Sequence, residues 1–185
     1  MILDTIKNRR SIFPNQFEAE TISDDKIRTL LEAANWAPTH AKTEPWRFKI
    51  FKDDALELLA DILKAGYTKT TPADKFSEFK LNKSIEKVMQ SGAVIAICMQ
   101  RDPKARIPEW EEIAAVGMAV QNMWLAAGEQ GLGGYWSSPG YITELGTELK
   151  LNEGEKCLGF FYLGVFNGPN PEGVRTSIED KITWF

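Results

Sequence analysis

No apolar run in the chain approaches a membrane span. The longest, Ala93 to Met99, stops far short of the ~20 residues a bilayer demands. Cysteine is nearly absent. Cys98 and Cys157 lie in apolar surroundings without a CxxC or Cys/His cluster, so they read as buried thiols of a reducing compartment, not a disulfide framework or zinc site. Histidine occurs once, as His40; it cannot form a pair of histidine ligands, and no spacing supports a Ser-His-Asp triad. Basic residues do not dominate: 22 Lys and Arg against 26 Asp and Glu leave a net charge of −4, no footprint for nucleic acid. Repeats, low-complexity blocks and linkers are missing, so residues 1–185 read as one domain. The opening Met1-Ile2-Leu3-Asp4-Thr5-Ile6-Lys7 reads as a helix start, not a charged leader before an apolar signal region. A cytoplasmic location is the default expectation.

What is present is alternating periodicity. Ile2, Leu3 and Ile6 share a helical face that stops at Asn8-Arg9-Arg10. Ile27, Leu30, Leu31 and Ala34 follow helical spacing, with Ser23 as N-cap, Asp24 and Asp25 at the positive dipole end, and Ile22 placed to staple onto Ile27. Pro38 ends that helix near Trp36. Trp46 to Ile50 alternates as a half-buried strand, with Trp46, Phe48 and Ile50 on one face, and Asp53 to Leu63 reads as a helix. Tyr67 to Lys83 is polar and poorly periodic. Ala93 to Met99 reads as a strand buried on both faces. Pro108 opens a long helix to about Gln130, predicted to turn Ile113, Val116, Val120, Met123 and Ala127 inward. Its many small residues fit a central helix and a dimer seam. A strand at Gly134 to Trp136, a short helix at Thr143 to Leu149 and a strand at Leu158 to Phe166 complete the pattern. Roughly five strands and five or six helices in mixed order imply an α+β layer architecture. The apolar terminal pair Trp184-Phe185 needs a partner surface, since unanchored termini fray.

Several groups could carry chemistry. Arg9-Arg10-Ser11, at the end of a short helix, offers two planar forks of donors and a hydroxyl to a phosphate. On spacing alone a solvated basic cluster is the simpler explanation. The loop Ala37-Pro38-Thr39-His40-Ala41-Lys42-Thr43-Glu44-Pro45-Trp46 turns the chain between helix and strand, where binding groups concentrate. Gly131-Leu132-Gly133-Gly134 follows a helix and opens a strand, the reverse of a dinucleotide fingerprint; Gly131 reads as a helix cap. Glu109, Glu111 and Glu112 are accounted for by the helix dipole. Arg175, after a Pro/Gly-rich turn, is a third cation; a lone tail arginine is ordinarily just solvated.

Taken in order, Arg9-Arg10-Ser11, the Pro38 to Trp46 loop, Gly131 to Trp136, and Gly159-Phe160-Phe161-Tyr162-Leu163-Gly164 resemble the FMN-dependent nitroreductase family, in its short branch. The resemblance implies a mixed, largely antiparallel sheet flanked by helices in α/β/α layers, and a homodimer with shared active sites whose tail, residues 168–185, packs on the partner. It places Arg9, Arg10, Ser11 and Arg175 against the FMN phosphate and pyrimidine. Trp36 and His40 become flavin contacts from the opposite subunit, and Trp136, Ser137 and Ser138 the flavin-edge segment. The run Ala126, Ala127, Gly128, Glu129, Gln130 and Gly131 falls near the nicotinamide contact. Glu44 stands where Gln is usual, Lys42 where Asn is common, and Ser137 where an Arg is frequent. Pro139 lacks an N–H, so the donor to flavin N5 must be Ser138, Gly140 or a neighbour.

The function so implied is oxidoreduction: a hydride passes from NADH or NADPH through FMN to a nitroaromatic, quinone or similar small acceptor, in a ping-pong cycle with no obligatory side-chain acid or base. Residues 67–83, with Phe76 and Phe79, are a candidate lid. The alternatives are a non-catalytic FMN store, or another flavin reaction on the same fold such as reductive dehalogenation or flavin fragmentation. No membrane or nucleic-acid partner is expected.

Overall fold

The computed structural model describes residues 1–185. Its first two helices, α1 (Ile2–Asn8) and α2 (Asp24–Asn35), begin and end where the sequence dictates. Ser23 Oγ accepts the Lys26 N–H at 3.4 Å, relieving one free amide of the first turn, and Asp24 and Asp25 sit on the positive end of the dipole. Ile22 and Ile27 are both buried in the core beneath. Trp36 is the C-cap, two residues before Pro38.

The chain continues through β1 (Trp46–Lys52), α3 (Ala55–Thr70), α4 (Glu78–Met89), β2 (Ala93–Gln100), α5 (Glu109–Glu129), β3 (Leu132–Ser137) and β4 (Glu155–Val165). The four strands form one sheet in the order β1-β2-β4-β3, and every pairing is antiparallel. The sheet thus has four strands where the sequence led us to count about five; outside it there is only an isolated bridge between Glu18 and Val165.

Strand β2 explains the layering. Ala93 to Met99 are all buried, and alternate residues enter opposite cores. Ala93, Ile95, Ile97 and Met99 pack with α2 and α5 residues such as Leu30, Val116 and Met123. Val94, Ala96 and Cys98 pack with Leu59, Leu63 and Val88 from α3 and α4. The architecture is therefore α+β with helices on both faces of the sheet.

Three local expectations change. Residues 67–83 are helical at both ends: α3 runs on to Thr70, and α4 starts after Ser77, whose Oγ accepts the Lys80 N–H at 3.4 Å. Only Leu81 and Val88 of α4 are buried, so its apolar stripe is too thin for periodicity to reveal. Tyr67 pins the turn between them, its ring 5.3 Å from Phe76 and its hydroxyl accepting the Ser77 N–H at 3.2 Å. On α5, Val116, Val120, Met123 and Ala127 face inward, but Ile113 is exposed and Glu112 is buried. That carboxylate is satisfied by Arg101 and by the Asp102 N–H at 2.9 Å, which is why an acid replaces the hydrophobe there. The helix expected at 143–149 is a single 3-10 turn, Ile142–Leu145.

Helix α5 stops at Gly131, which takes φ +70°, accessible to glycine at little cost. The Gly131 carbonyl then accepts the Phe166 N–H at 3.1 Å, setting the start of β3 against the end of β4. Residues 171–185 are exposed throughout.

Candidate functional site

The end of α1, the end of α5 and the tail converge on three arginines. The Arg9 guanidinium lies 4.3 Å above the Trp124 ring, a cation–π contact. Its Nη1 is buried without a hydrogen-bond partner. Burial, then the charges of Arg175 and Arg10, hold Arg9 below the usual arginine pKa, which still leaves it cationic. Arg10 is fixed by the tail: its Nε donates to Pro171 O at 2.8 Å and its Nη1 to Lys7 O at 2.6 Å and Arg9 O at 2.8 Å. A Cβ on Gly173 would lie 2.0 Å from Arg10 Nη2, so the tail passes close against the guanidinium as it is placed. Trp124 Nε1 donates to Arg10 O at 3.2 Å, locking the platform to the same turn. None of the three arginines forms an ion pair with a carboxylate.

Beside them lies a cavity of about 330 Å³, lined by Arg9, Arg10, Trp124, Gly128, Glu129 and Gly131 among others. Part of the 126–131 run thus meets the arginines. Ala127 does not: it is fully buried in the core and has no surface to offer a ligand. Gln130 is engaged elsewhere, its carbonyl accepting Lys26 Nζ at 2.9 Å. Ser11 is exposed next to the cluster.

Trp36 and His40 are not brought to this cavity. His40 Nδ1 lies 2.5 Å from Glu111 Oε2 at the start of α5, beside a second hollow of about 290 Å³ lined by Pro38, His40, Trp110 and Met118. Trp36 is 78% exposed and donates from Nε1 to Glu32 Oε1 at 2.9 Å. Glu111 and Trp124 are separated by ~20 Å along a helix rising 1.5 Å per residue. The loop between carries unusual backbone: Ala41, Lys42 and Glu44 have φ of 51°, 53° and 42°. It is held by the Glu44 N–H donating to Thr39 Oγ1 at 3.1 Å and by Arg106 Nη1 donating to Ala41 O at 3.4 Å.

Trp136, Ser137 and Ser138 close β3 at the end away from Gly131. Trp136 Nε1 is buried without a partner, and a Cβ on Gly159 would come within 2.0 Å of it and 2.7 Å of Ser138 Oγ. Ser138 Oγ donates to Leu158 O at 2.6 Å. Trp136 is opposite Phe161, whose ring meets Trp124 edge-on at 5.2 Å. Phe161 of β4 thus neighbours both the flavin-edge candidate Trp136, across the ladder, and the Arg9 platform Trp124. Sequence reasoning overlooked Trp124, and it named Gly159 only within the family-like segment, without its close approach to Trp136. Trp124 was hidden in a generally apolar helix; Gly159 had a usable signal, because a glycine inside a strand marks a close approach.

The antiparallel sheet between helical layers, with paired arginines after a short first helix, defines a nitroreductase-like protein. The chain belongs to the nitroreductase family: the family model matches residues 6–165. It is 28% identical over 185 residues to YfhC of Bacillus subtilis (strain 168), which bears a provisional NAD(P)H nitroreductase name, spanning 99% of this chain and 93% of that one. Among solved structures it is similar to a nitroreductase-like family protein from Bacillus cereus, at TM-score 0.84 and 28% identity over 100% of this chain and 96% of that one. It also resembles a provisionally named nitroreductase from Desulfovibrio desulfuricans solved in complex with FMN, at TM-score 0.75 and 26% identity, again over 100% and 96%.

Proposed function

We propose that the chain is an FMN-dependent oxidoreductase that takes a hydride from NADH or NADPH and delivers it to a small oxidised acceptor such as a quinone or nitroaromatic. The observation that carries this is Arg9: a buried guanidinium nitrogen lacking an acceptor, near two further guanidiniums without a carboxylate partner and beside an open cavity. Gathering three like charges without a carboxylate is unfavourable unless an anion joins them. The phosphate of FMN has the charge and oxygen geometry for such forks. The Desulfovibrio relative, alike over 96% of its length, was solved with FMN.

In this reading Arg9, Arg10 and Arg175 hold the phosphate and pyrimidine end, with Ser11 adding a hydroxyl. When bound, FMN supplies the hydride chemistry that no side chain here provides. The Trp136–Ser138 segment orients the flavin edge through a backbone N–H of Ser138 or Gly140. Cationic charge favours an anionic reduced cofactor. Gly128, Glu129 and Gly131 leave room for nicotinamide, and donor and acceptor use one cavity in turn, which makes the cycle ping-pong.

Trp36 and His40, remote from Arg9 within one chain, then act from a second copy. The exposed apolar face of α5, with Trp110, Ile113 and Met118, is the surface on which that copy packs. The test is direct. Purified protein should be yellow, release FMN on denaturation, and oxidise NAD(P)H anaerobically only when a quinone or nitroaromatic is added. A colourless protein that takes up no FMN overturns the reading; a yellow protein without turnover leaves it a flavin store.

A further inference from the structure

Cys98 on β2 and Cys157 on β4 are both free and buried, and they are register partners across the centre of the sheet. Between Ile97, opposite Gly159, and Cys98, opposite Cys157, the register shifts by one, so Leu158 is an extra residue bulging from β4. Past the bulge the ladder is fixed by the Arg101 N–H donating to Gly154 O at 2.9 Å. Antiparallel alternation makes Met99 and Lys156 the next bonded pair and leaves Cys98 and Cys157 a non-bonded pair, where side chains approach most closely. The Cα separation of such a pair, ~4.5 Å, lies at the short end of the range that disulfides span. Opposed residues also point to the same face, and both thiols belong to the same core.

The pair is not sealed in. Cys157 lines a cavity of about 560 Å³ with Ile142, Thr143, Asn152, Glu155 and Leu158, so the pair borders open space at one side. Cys98 is held above the ordinary thiol pKa by its contact with Cys157 and by burial, whereas Cys157 is held below it by the Cys98 thiol. Cys157, the member of the pair that borders this cavity, is the thiol an entering reagent meets first. The charged groups facing the pair are Glu155, which opposes a thiolate, and Lys49, which favours one. Lys49 Nζ and Glu155 Oε1 are 3.3 Å apart and largely offset each other.

We infer that Cys98 and Cys157 form an oxidisable dithiol, a modification site at which hydrogen peroxide closes a cross-strand disulfide between β2 and β4. The Cys157 thiolate attacks one peroxide oxygen, the O–O bond breaks, and the departing hydroxide takes a proton to leave as water. Cys98 sulfur then attacks Cys157 sulfur; the S–O bond breaks, and hydroxide leaves with the Cys98 proton as a second water. Two thiols lose two electrons and two protons, and one peroxide becomes two waters. The link falls beside Leu158, whose carbonyl holds Ser138, and Gly159, against which Trp136 sits. Oxidation thus acts on the strand that seats the flavin-edge segment. That consequence for turnover rests on the proposed flavin function; the thiol chemistry does not.

The experiment exposes the full chain to a rising series of hydrogen peroxide, then unfolds it, alkylates the remaining thiols and reads intact and peptide masses. In the parent protein both alkylation sites disappear together, with a mass loss of about 2 Da that dithiothreitol reverses. In Cys98→Ser the same treatment adds about 16 or 32 Da at Cys157, because no resolving thiol is present. In Cys157→Ser, Cys98 stays alkylatable. The inference is overturned if parent protein gains oxygen at Cys157 while Cys98 remains free, if it links between chains instead, or if neither thiol reacts. None of these readouts requires flavin or activity.

Discussion

Arg9 concentrates the argument in one side chain. An arginine stacked on an indole with an idle buried nitrogen is costly in the free protein and useful once an anion arrives. Arg9→Ala should weaken FMN binding by about 10- to 100-fold, the span for losing a charge-assisted hydrogen bond, with Arg9→Lys intermediate because charge survives and the fork does not. Fluorescence titration of apoprotein with FMN measures this; equal affinity in all three proteins would remove the phosphate site from Arg9. Gly159 makes the complementary case. Its φ of +153° and the 2.0 Å approach of Trp136 leave no place for a methyl group. Gly159→Ala should cost roughly 2–3 kcal/mol, combining backbone strain with overpacking, seen as a lower urea midpoint. The first arginine pair was visible in the sequence as a candidate phosphate site, although its spacing alone favoured a solvated cluster and only the family resemblance pointed to phosphate. Trp124 was not legible, since its role depends on which turn of α5 passes beneath Arg9, and that is decided by the packing of α5 against α2 and the sheet.

Helices and strands were legible wherever their signals were local. Ser23 with its two aspartates, Pro38 and Gly131 mark the ends of α2 and α5 because capping and φ restriction act within a few residues. The seven-residue apolar run of β2 gave a strand buried on both faces. The second half of α3 and all of α4 were lost, because their amphipathic contrast rests on one or two buried positions. Glu112 was assigned to the dipole although it is buried, since its partner Arg101 lies on a separate loop. The same loop carries Asp102, which the Arg106 guanidinium and backbone amides hold at about 2, below the usual carboxylate value. A depressed carboxyl stabilises the fold above its unfolded pKa near pH ~4 and loses that contribution as pH falls toward ~2. Asp102→Asn should therefore flatten the fall in urea midpoint between those pH values and change it least in strong acid. The 39–44 loop makes a different prediction. Lys42 is exposed at φ 53°, so Lys42→Gly should stabilise the free protein by up to ~1 kcal/mol. If the loop is strained to present His40, the same change should lower FMN affinity.

Charge and surface together argue for two copies. In a single chain the arginines and His40 stand at opposite ends of α5, a distance of ~20 Å at 1.5 Å per residue, and no rearrangement short of unfolding brings them together. In the proposed dimer a two-fold interface along α5 would set the start of one helix near the end of the other. The side chains available for it are Trp110, Ile113 and Met118, all exposed, with Trp184 and Phe185 at 87% and full exposure on the tail. Large aromatic and methionine side chains left in water are the usual anchors of an interface, and a charge placed among them is strongly disruptive. Met118→Glu should raise the dimer dissociation constant by at least ~100-fold, equivalent to ~2.7 kcal/mol, and should reduce FMN affinity in step although Met118 is far from Arg9. Removal of residues 182–185 tests the tail separately, because Arg10 and Arg175 stay in place. Sedimentation velocity with parallel flavin absorbance reads both properties at once. If Met118→Glu is monomeric and holds FMN as tightly as the parent, the second copy contributes nothing to the cofactor site, and His40 with Trp36 must be given another role.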